Sequence, residues 1–189
     1  MIELFQQLRV VGIVFYNYYN NIILKTKMNI ITVTGSANEG KTSTINILIE
    51  LICSKAQVYG WKIEKFTYGT LVVVKVPAFD LCIGFGKDGD SEQQVVENCR
   101  FAEDANVDVF VQTTRKRGRG VDYLWNFAKG THDIIRIGTI TRFFGLQTSF
   151  LKGESEIQEI NKIQAQNIFR LLLHILRKKY CSITTRVAK

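Results

Sequence analysis

The residues best placed to do chemistry are Gly35, Ser36, Ala37, Asn38, Glu39, Gly40, Lys41 and Thr42, spaced G-x-x-x-x-G-K-T, with Ser43 directly after them. At Gly35 and Gly40 the backbone can wrap an anion closely, where a Cβ would intrude. Loop amides and a following helix start would then point at that anion. Lys41 has the reach for β- and γ-phosphates, and the Thr42 hydroxyl suits a Mg²⁺ shell, so a nucleoside triphosphate with Mg²⁺ is the expected ligand pair.

Two further groups carry charge suited to the same chemistry. Asp88 and Asp90 are candidates to hold the metal or to activate an acceptor. Asp90 beside Ser91 is equally consistent with a helix start, and Asp88-Gly89 with turn chemistry. Arg115, Lys116, Arg117 and Arg119 form a glycine-flanked cationic loop. Guanidinium groups match phosphate oxygens in pairs and stay charged, so Arg115, Arg117 and Arg119 are candidate catalytic groups beside Lys41 and Asp88. A contact to nucleic-acid phosphates and a solvated basic turn remain open readings of this loop.

Positioning these groups requires particular elements. Residues 29–34 (NIITVT) read as a buried strand entering the glycine loop. Residues 43–52 read as a helix leaving it, with Ile45, Leu48, Ile49 and Ile52 on one face. A strand before and a helix after are the context that gives the motif its meaning. On these residues the chain resembles the P-loop NTPase superfamily. The resemblance implies a three-layer α/β fold of P-loop (Rossmann-like) topology around a mostly parallel sheet. Glu39 departs from the glycine or small residue that many members carry there.

Further along, 61–68 and 71–76 read as β-rich runs split by Gly69, and 80–85 as a core strand after Pro77. Ser91-Glu92-Gln93-Gln94 reads as a capping box opening a helix that turns Val95, Cys99 and Ala102 inward. Residues 107–113 read as a buried strand and 121–129 as a helix with Leu124 and Trp125 inward and Gly130 as its terminator. Residues 133–140 form the last expected strand. Ser155 and Gln158 are expected to cap a final helix with Ile157, Ile160, Ile163, Leu171, Leu172, Ile175 and Leu176 as its core stripe. Strands alternating with helices imply right-handed crossovers, which would bring the loops at 35–42, 84–90, 112–120 and 138–145 to one sheet edge. Asp80, at the start of its strand, belongs at the opposite edge. The run Val109-Phe110-Val111 ends in Gln112 rather than Asp, which argues against fast hydrolysis.

Composition bounds the alternatives. The chain of 189 residues is one ordinary domain, 46% apolar and 22% charged with a single proline. That balance excludes a disordered tail, a collagen-like repeat and a multi-pass membrane protein. A formal charge of +8 points to an anionic partner without choosing among nucleotide, nucleic acid and acidic lipid. Four cysteines without a C-x-x-C pair read as reduced core residues of a cytoplasmic protein. With two histidines, a histidine-rich metal site is excluded. Residues 1–27 lack the basic start and clean apolar block of a secretory signal, and their asparagines argue against a spanning helix, so no stable membrane insertion is expected. They are expected to be an apolar extension packed on a 28–189 domain; peripheral membrane contact remains open. Asn161-Lys162 continues with Ile-Gln, so no guanine-specific N-K-x-D motif is present and ATP is favoured. An ATPase or small-molecule kinase, a regulatory module that signals to a protein partner, and a nucleic-acid-associated ATP-binding protein all fit.

Overall fold

The computed structural model describes residues 28–77, 80–129, 132–138 and 154–187. The extension at 1–27, Gly130 and the loop after residue 138 lie outside them. In chain order the elements are β1 (Asn29–Thr34), α1 (Lys41–Val58), β2 (Glu64–Tyr68), β3 (Leu71–Val76), β4 (Leu81–Gly86), α2 (Glu92–Asp104), β5 (Val109–Thr114), α3 (Arg119–Ala128), β6 (Asp133–Gly138) and α4 (Glu154–Val187). The six strands form one sheet in the order β2-β3-β4-β5-β1-β6. β4–β5, β5–β1 and β1–β6 pair in parallel, whereas β2–β3 and β3–β4 are antiparallel. The fold is therefore α/β with a mixed, mostly parallel sheet.

Period-two alternation sorts the strand residues onto two faces. On one face Ile31, Val33, Val72, Val74, Val109 and Val111 meet α1 through Ile45, Leu48 and Ile49 and α4 through Ile168 and Leu172. On the other, Ile30, Leu71, Val73 and Phe110 meet α2 through Val95, Cys99 and Ala102 and α3 through Leu124 and Ala128. Three layers result, and β1 and β5 are buried at their centre.

Several local expectations are corrected. Trp125 is 41% exposed, and Leu124 alone of that pair turns inward. Ser155 lies inside α4 rather than ahead of it. The buried face of α4 runs through Asn161, Gln164, Ala165, Ile168, Leu172 and Ile175, while Ile163 is 45% exposed. The helix is turned because polar partners await two of its side chains. Asn161 receives the Thr44 hydroxyl at 3.4 Å, and Gln164 donates to the Gly138 carbonyl at 3.4 Å. An apolar side chain at either place would leave those groups unpaired.

Cys53, Cys82 and Cys99 are free thiols. Burial pushes the Cys82 thiol up to about 11, against a smaller opposing pull from Lys75, and burial raises Cys99 further still. The raised value keeps Cys82 protonated where an ordinary thiol ionises. Iodoacetamide labelling of Cys82 in the native protein should therefore stay slow through pH 9 and accelerate only towards pH 11. A rate already at its plateau by pH 9.5, followed by mass spectrometry, would contradict this.

No helix among the described residues is long and apolar enough to cross a membrane.

Candidate active site around Lys41

β1 ends at Thr34, and the chain turns sharply before α1 begins at Lys41. The turn uses positive φ at Asn38 (60°) and Gly40 (75°), a region open to asparagine and glycine at low cost. Gly40 precedes α1 without offering a side-chain cap. The first-turn amides of α1 therefore have no side-chain acceptor at that position. Gly40 is also pressed by α4: a Cβ there would overlap the Asn161 side-chain amide.

Lys41 is only 6% exposed. Its Nζ donates to the Ser36 carbonyl at 2.7 Å and lies 3.2 Å from Asp90 Oδ1. Two of the three ammonium hydrogens are thus taken by described residues. Asp90, half exposed, also lies 3.6 Å from Arg115 Nε, so one carboxylate faces two cations.

The segment after β4 is held from three sides by its backbone. The Lys87 carbonyl accepts from the Thr42 hydroxyl at 3.1 Å and the Thr113 hydroxyl at 2.8 Å. The Asp88 carbonyl accepts from Asn98 at 2.8 Å and Gln112 at 3.2 Å. Asp88 thus contributes its main chain to the site, and its side chain makes no hydrogen bond or ion pair among the described residues. Of the two candidate carboxylates, Asp90 is the one brought to Lys41. Gln112, fully buried on β5, uses its amide nitrogen on this segment and on the Thr113 carbonyl at 2.7 Å. Its Oε1 is buried with no partner among the described residues.

Gly89 is where this segment comes closest to β5. A Cβ there would overlap the Thr113 backbone carbonyl and crowd Gln112 Nε2. A β-strand carbonyl in the sheet centre cannot yield, so Gly89→Ala should destabilise the fold by about 3 kcal/mol, at the upper end of ordinary single substitutions. Urea unfolding measures it, and a loss under 0.5 kcal/mol would show that the segment moves freely.

The cationic loop divides into parts. Lys116 pairs with Glu39 at 2.8 Å, and Arg136 on β6 donates to the Lys116 carbonyl at 2.7 Å. These contacts fix the start of the loop against residues 35–42. Arg115 reaches Asp90, whereas Arg119 lies 4.0 Å from Glu92 on α2. Arg117 makes no ion pair among the described residues and, with Arg115 and Arg119, lines a cleft of about 260 Å³.

Loops 35–42, 84–90 and 112–120 therefore meet at the carboxyl ends of β1, β4 and β5. Asp80 stands at the other end of β4. The residues that position the site without a sequence signal are Gln112, Thr113, Asn98, Arg136 and Asn161. Their types are ordinary, and their relevance comes only from where the sheet puts them. No group of three or more His, Cys, Asp or Glu side chains among the described residues forms a metal cage. No family model, curated protein or solved structure matches the chain.

Proposed function

We propose that the chain is a P-loop protein that binds ATP with Mg²⁺ and acts on the γ-phosphate, as a phosphotransferase or an ATP hydrolase. The observation that carries the reading is Lys41: a nearly buried cation behind a left-handed turn, at the start of an uncapped helix, with an ammonium hydrogen to spare. Burying a charge costs free energy unless partners repay it; the Ser36 carbonyl and the half-exposed Asp90 carboxylate do so in part, and a polyphosphate would complete the set. The P-loop topology belongs to this proposal, supported by the parallel arrangement of β1, β4 and β5 with their loops at one edge.

In this reading the amides of residues 36–43 cradle the β-phosphate, the Gly35 amide being held by the Thr114 carbonyl at 3.1 Å, and Lys41 turns from Asp90 to the β- and γ-oxygens. Mg²⁺ asks for only one or two protein oxygens when phosphates supply others, and the Thr42 hydroxyl and the Asp90 carboxylate would supply them. The metal would neutralise charge on the phosphates. Arg115, held beside Asp90, faces charge that develops during transfer. Glu39, paired with Lys116, keeps its carboxylate neutralised and away from the phosphates. The cytoplasm, which holds ATP and keeps thiols reduced, is the compartment that fits.

Calorimetry with ATP and Mg²⁺, followed by product analysis with a panel of small hydroxylated acceptors, tests this. Saturable binding with acceptor-stimulated ADP release is expected for the phosphotransferase. Arg115→Ala should lower turnover about 100-fold while changing ATP affinity less than threefold. No binding of ATP by the folded protein would sink the proposal.

A further inference from the structure

Beside the Lys41 site lies a cleft that the triphosphate reading does not use. Its walls are residues 89–92 on one side and Arg115 with residues 117–121 on the other. None of residues 35–42 lines it, but Asp90 and Arg115 do. Asp90 also touches Lys41 at 3.2 Å. The cleft and the phosphate loop therefore share one wall.

The chemistry of the cleft is that of an anion receptor. α2 and α3 bring their N-termini together there, and a Cβ on Gly120 would be in ordinary contact with the start of α2, 3.4 Å from Glu92 Cα and 3.5 Å from the Ser91 carbonyl. The two helix starts differ. Ser91 caps α2, accepting from the Gln94 amide at 3.2 Å, while Gln94 Oε1 accepts from the Ser91 amide at 3.1 Å. Gly118, at φ 113°, offers α3 no side chain. Val121 and Asp122 donate back to the Gly118 carbonyl, but the amides of Arg119 and Gly120 find no acceptor among the described residues. Three guanidinium groups surround this open end, against the carboxylates of Asp90 and Glu92. Asp90 is already engaged by Lys41 and Arg115, and Glu92 meets Arg119 only at 4.0 Å. Arg117 is the cation of the cleft with no carboxylate among the described residues. The balance is positive, and bidentate donors stand beside uncapped amides, which suits a phosphate group. A volume of about 260 Å³ falls below the range of drug-sized ligands, so the occupant is small.

We propose that this cleft holds the phosphate end of a small hydroxylated molecule that accepts the phosphoryl group. Its recognition half stands alone, and its acceptor role rests on the reading of residues 35–42 as a triphosphate site. The acceptor hydroxyl oxygen bonds to the γ-phosphorus as the bond from that phosphorus to the bridging oxygen breaks. ADP leaves with that electron pair, and the hydroxyl proton passes to solvent water at the open mouth of the cleft. Arg117, Arg119 and the α3 amides fix the far end of the acceptor, which orients the hydroxyl.

The test is an amide NMR titration of the full chain with inorganic phosphate and glycerol 3-phosphate, with glycerol as the uncharged control. Both phosphates should shift the amides of residues 118–120 saturably, in the millimolar range, and glycerol should not. The Arg117→Gln/Arg119→Gln variant should bind at least tenfold more weakly with the rest of its spectrum unchanged. Shifts confined to residues 35–42, absence of saturation, or full binding by the double variant overturns the site. Tighter, steeply salt-dependent binding of a 12-nucleotide single strand at the same amides would assign the cleft to nucleic acid and overturn it too. Cleft binding as expected in a protein that binds no ATP would overturn the acceptor role and the triphosphate reading while leaving the anion site standing.

Discussion

Lys41→Ala should reduce ATP affinity at least 50-fold while leaving the protein folded. The lysine is the buried cation of the site, held by the Ser36 carbonyl at 2.7 Å and by Asp90 at 3.2 Å. In the proposed site its removal would take away charge-assisted bonds to two phosphates, each of about 1.5–3 kcal/mol by the usual range for charged hydrogen bonds. The fold should survive because α1 is anchored by Ile45, Leu48, Ile49 and Ile52, which lie on the sheet and are untouched. Asp90 is half exposed and loses its partner to water at little cost. Calorimetry with ATP, alongside circular dichroism, reads both quantities. Unchanged affinity in a folded variant would show that residues 35–42 do not hold the triphosphate. Thr42→Ala should weaken chiefly the Mg²⁺-dependent part of the affinity, since its hydroxyl now rests on the Lys87 carbonyl and is free to turn.

What could be read from the sequence was what adjacent residues decide together. The run from Asn29 through Ile52 contains its own strand, its own turn glycines and its own helix face, and each of them forms there. The Ser91–Gln94 capping box is similarly complete within four residues, and both reciprocal bonds are present. β3 appears over the residues that the β-rich run marked, because Leu71, Val73 and Val72, Val74 feed the two opposite cores.

What could not be read was set by partners distant in the chain. Glu39 looked like a departure from the expected small residue, and its meaning lies in Lys116, 77 positions away. Asn161 belongs to a helix whose isoleucines spell a different apolar stripe. Its burial follows from Thr44 and Gly40, more than 100 positions away, where a side chain on Gly40 would have left no room. Gln112 follows the apolar run of β5 where an acid was expected, and only the sheet order puts it behind the Asp88 carbonyl. Spacing rules see faces and caps, and such pairs are decided by which strand lies next to which.

Asp90→Asn should make metal-free ADP bind about fivefold more tightly while lowering Mg²⁺-dependent turnover. In the structure the Asp90 carboxylate occupies Lys41 at 3.2 Å, so a polyphosphate entering without metal competes with it for the same ammonium. Asparagine keeps the shape of the side chain but removes that competing charge. Because Asp90 is half exposed, water screens the pair, and the gain is about 1 kcal/mol, the value for charges at contact distance in water. With metal bound the sign reverses. In the proposed site Asp90 would hold Mg²⁺ together with Thr42, so its loss would remove an oxygen ligand of the metal. Parallel titrations with ADP in EDTA and in Mg²⁺ separate the two effects, and a turnover assay reads the second. A carboxylate that merely capped α2 would move neither quantity, because the capping bonds of that helix belong to Ser91 and Gln94. Equal weakening with and without metal would remove Asp90 from the phosphate site altogether.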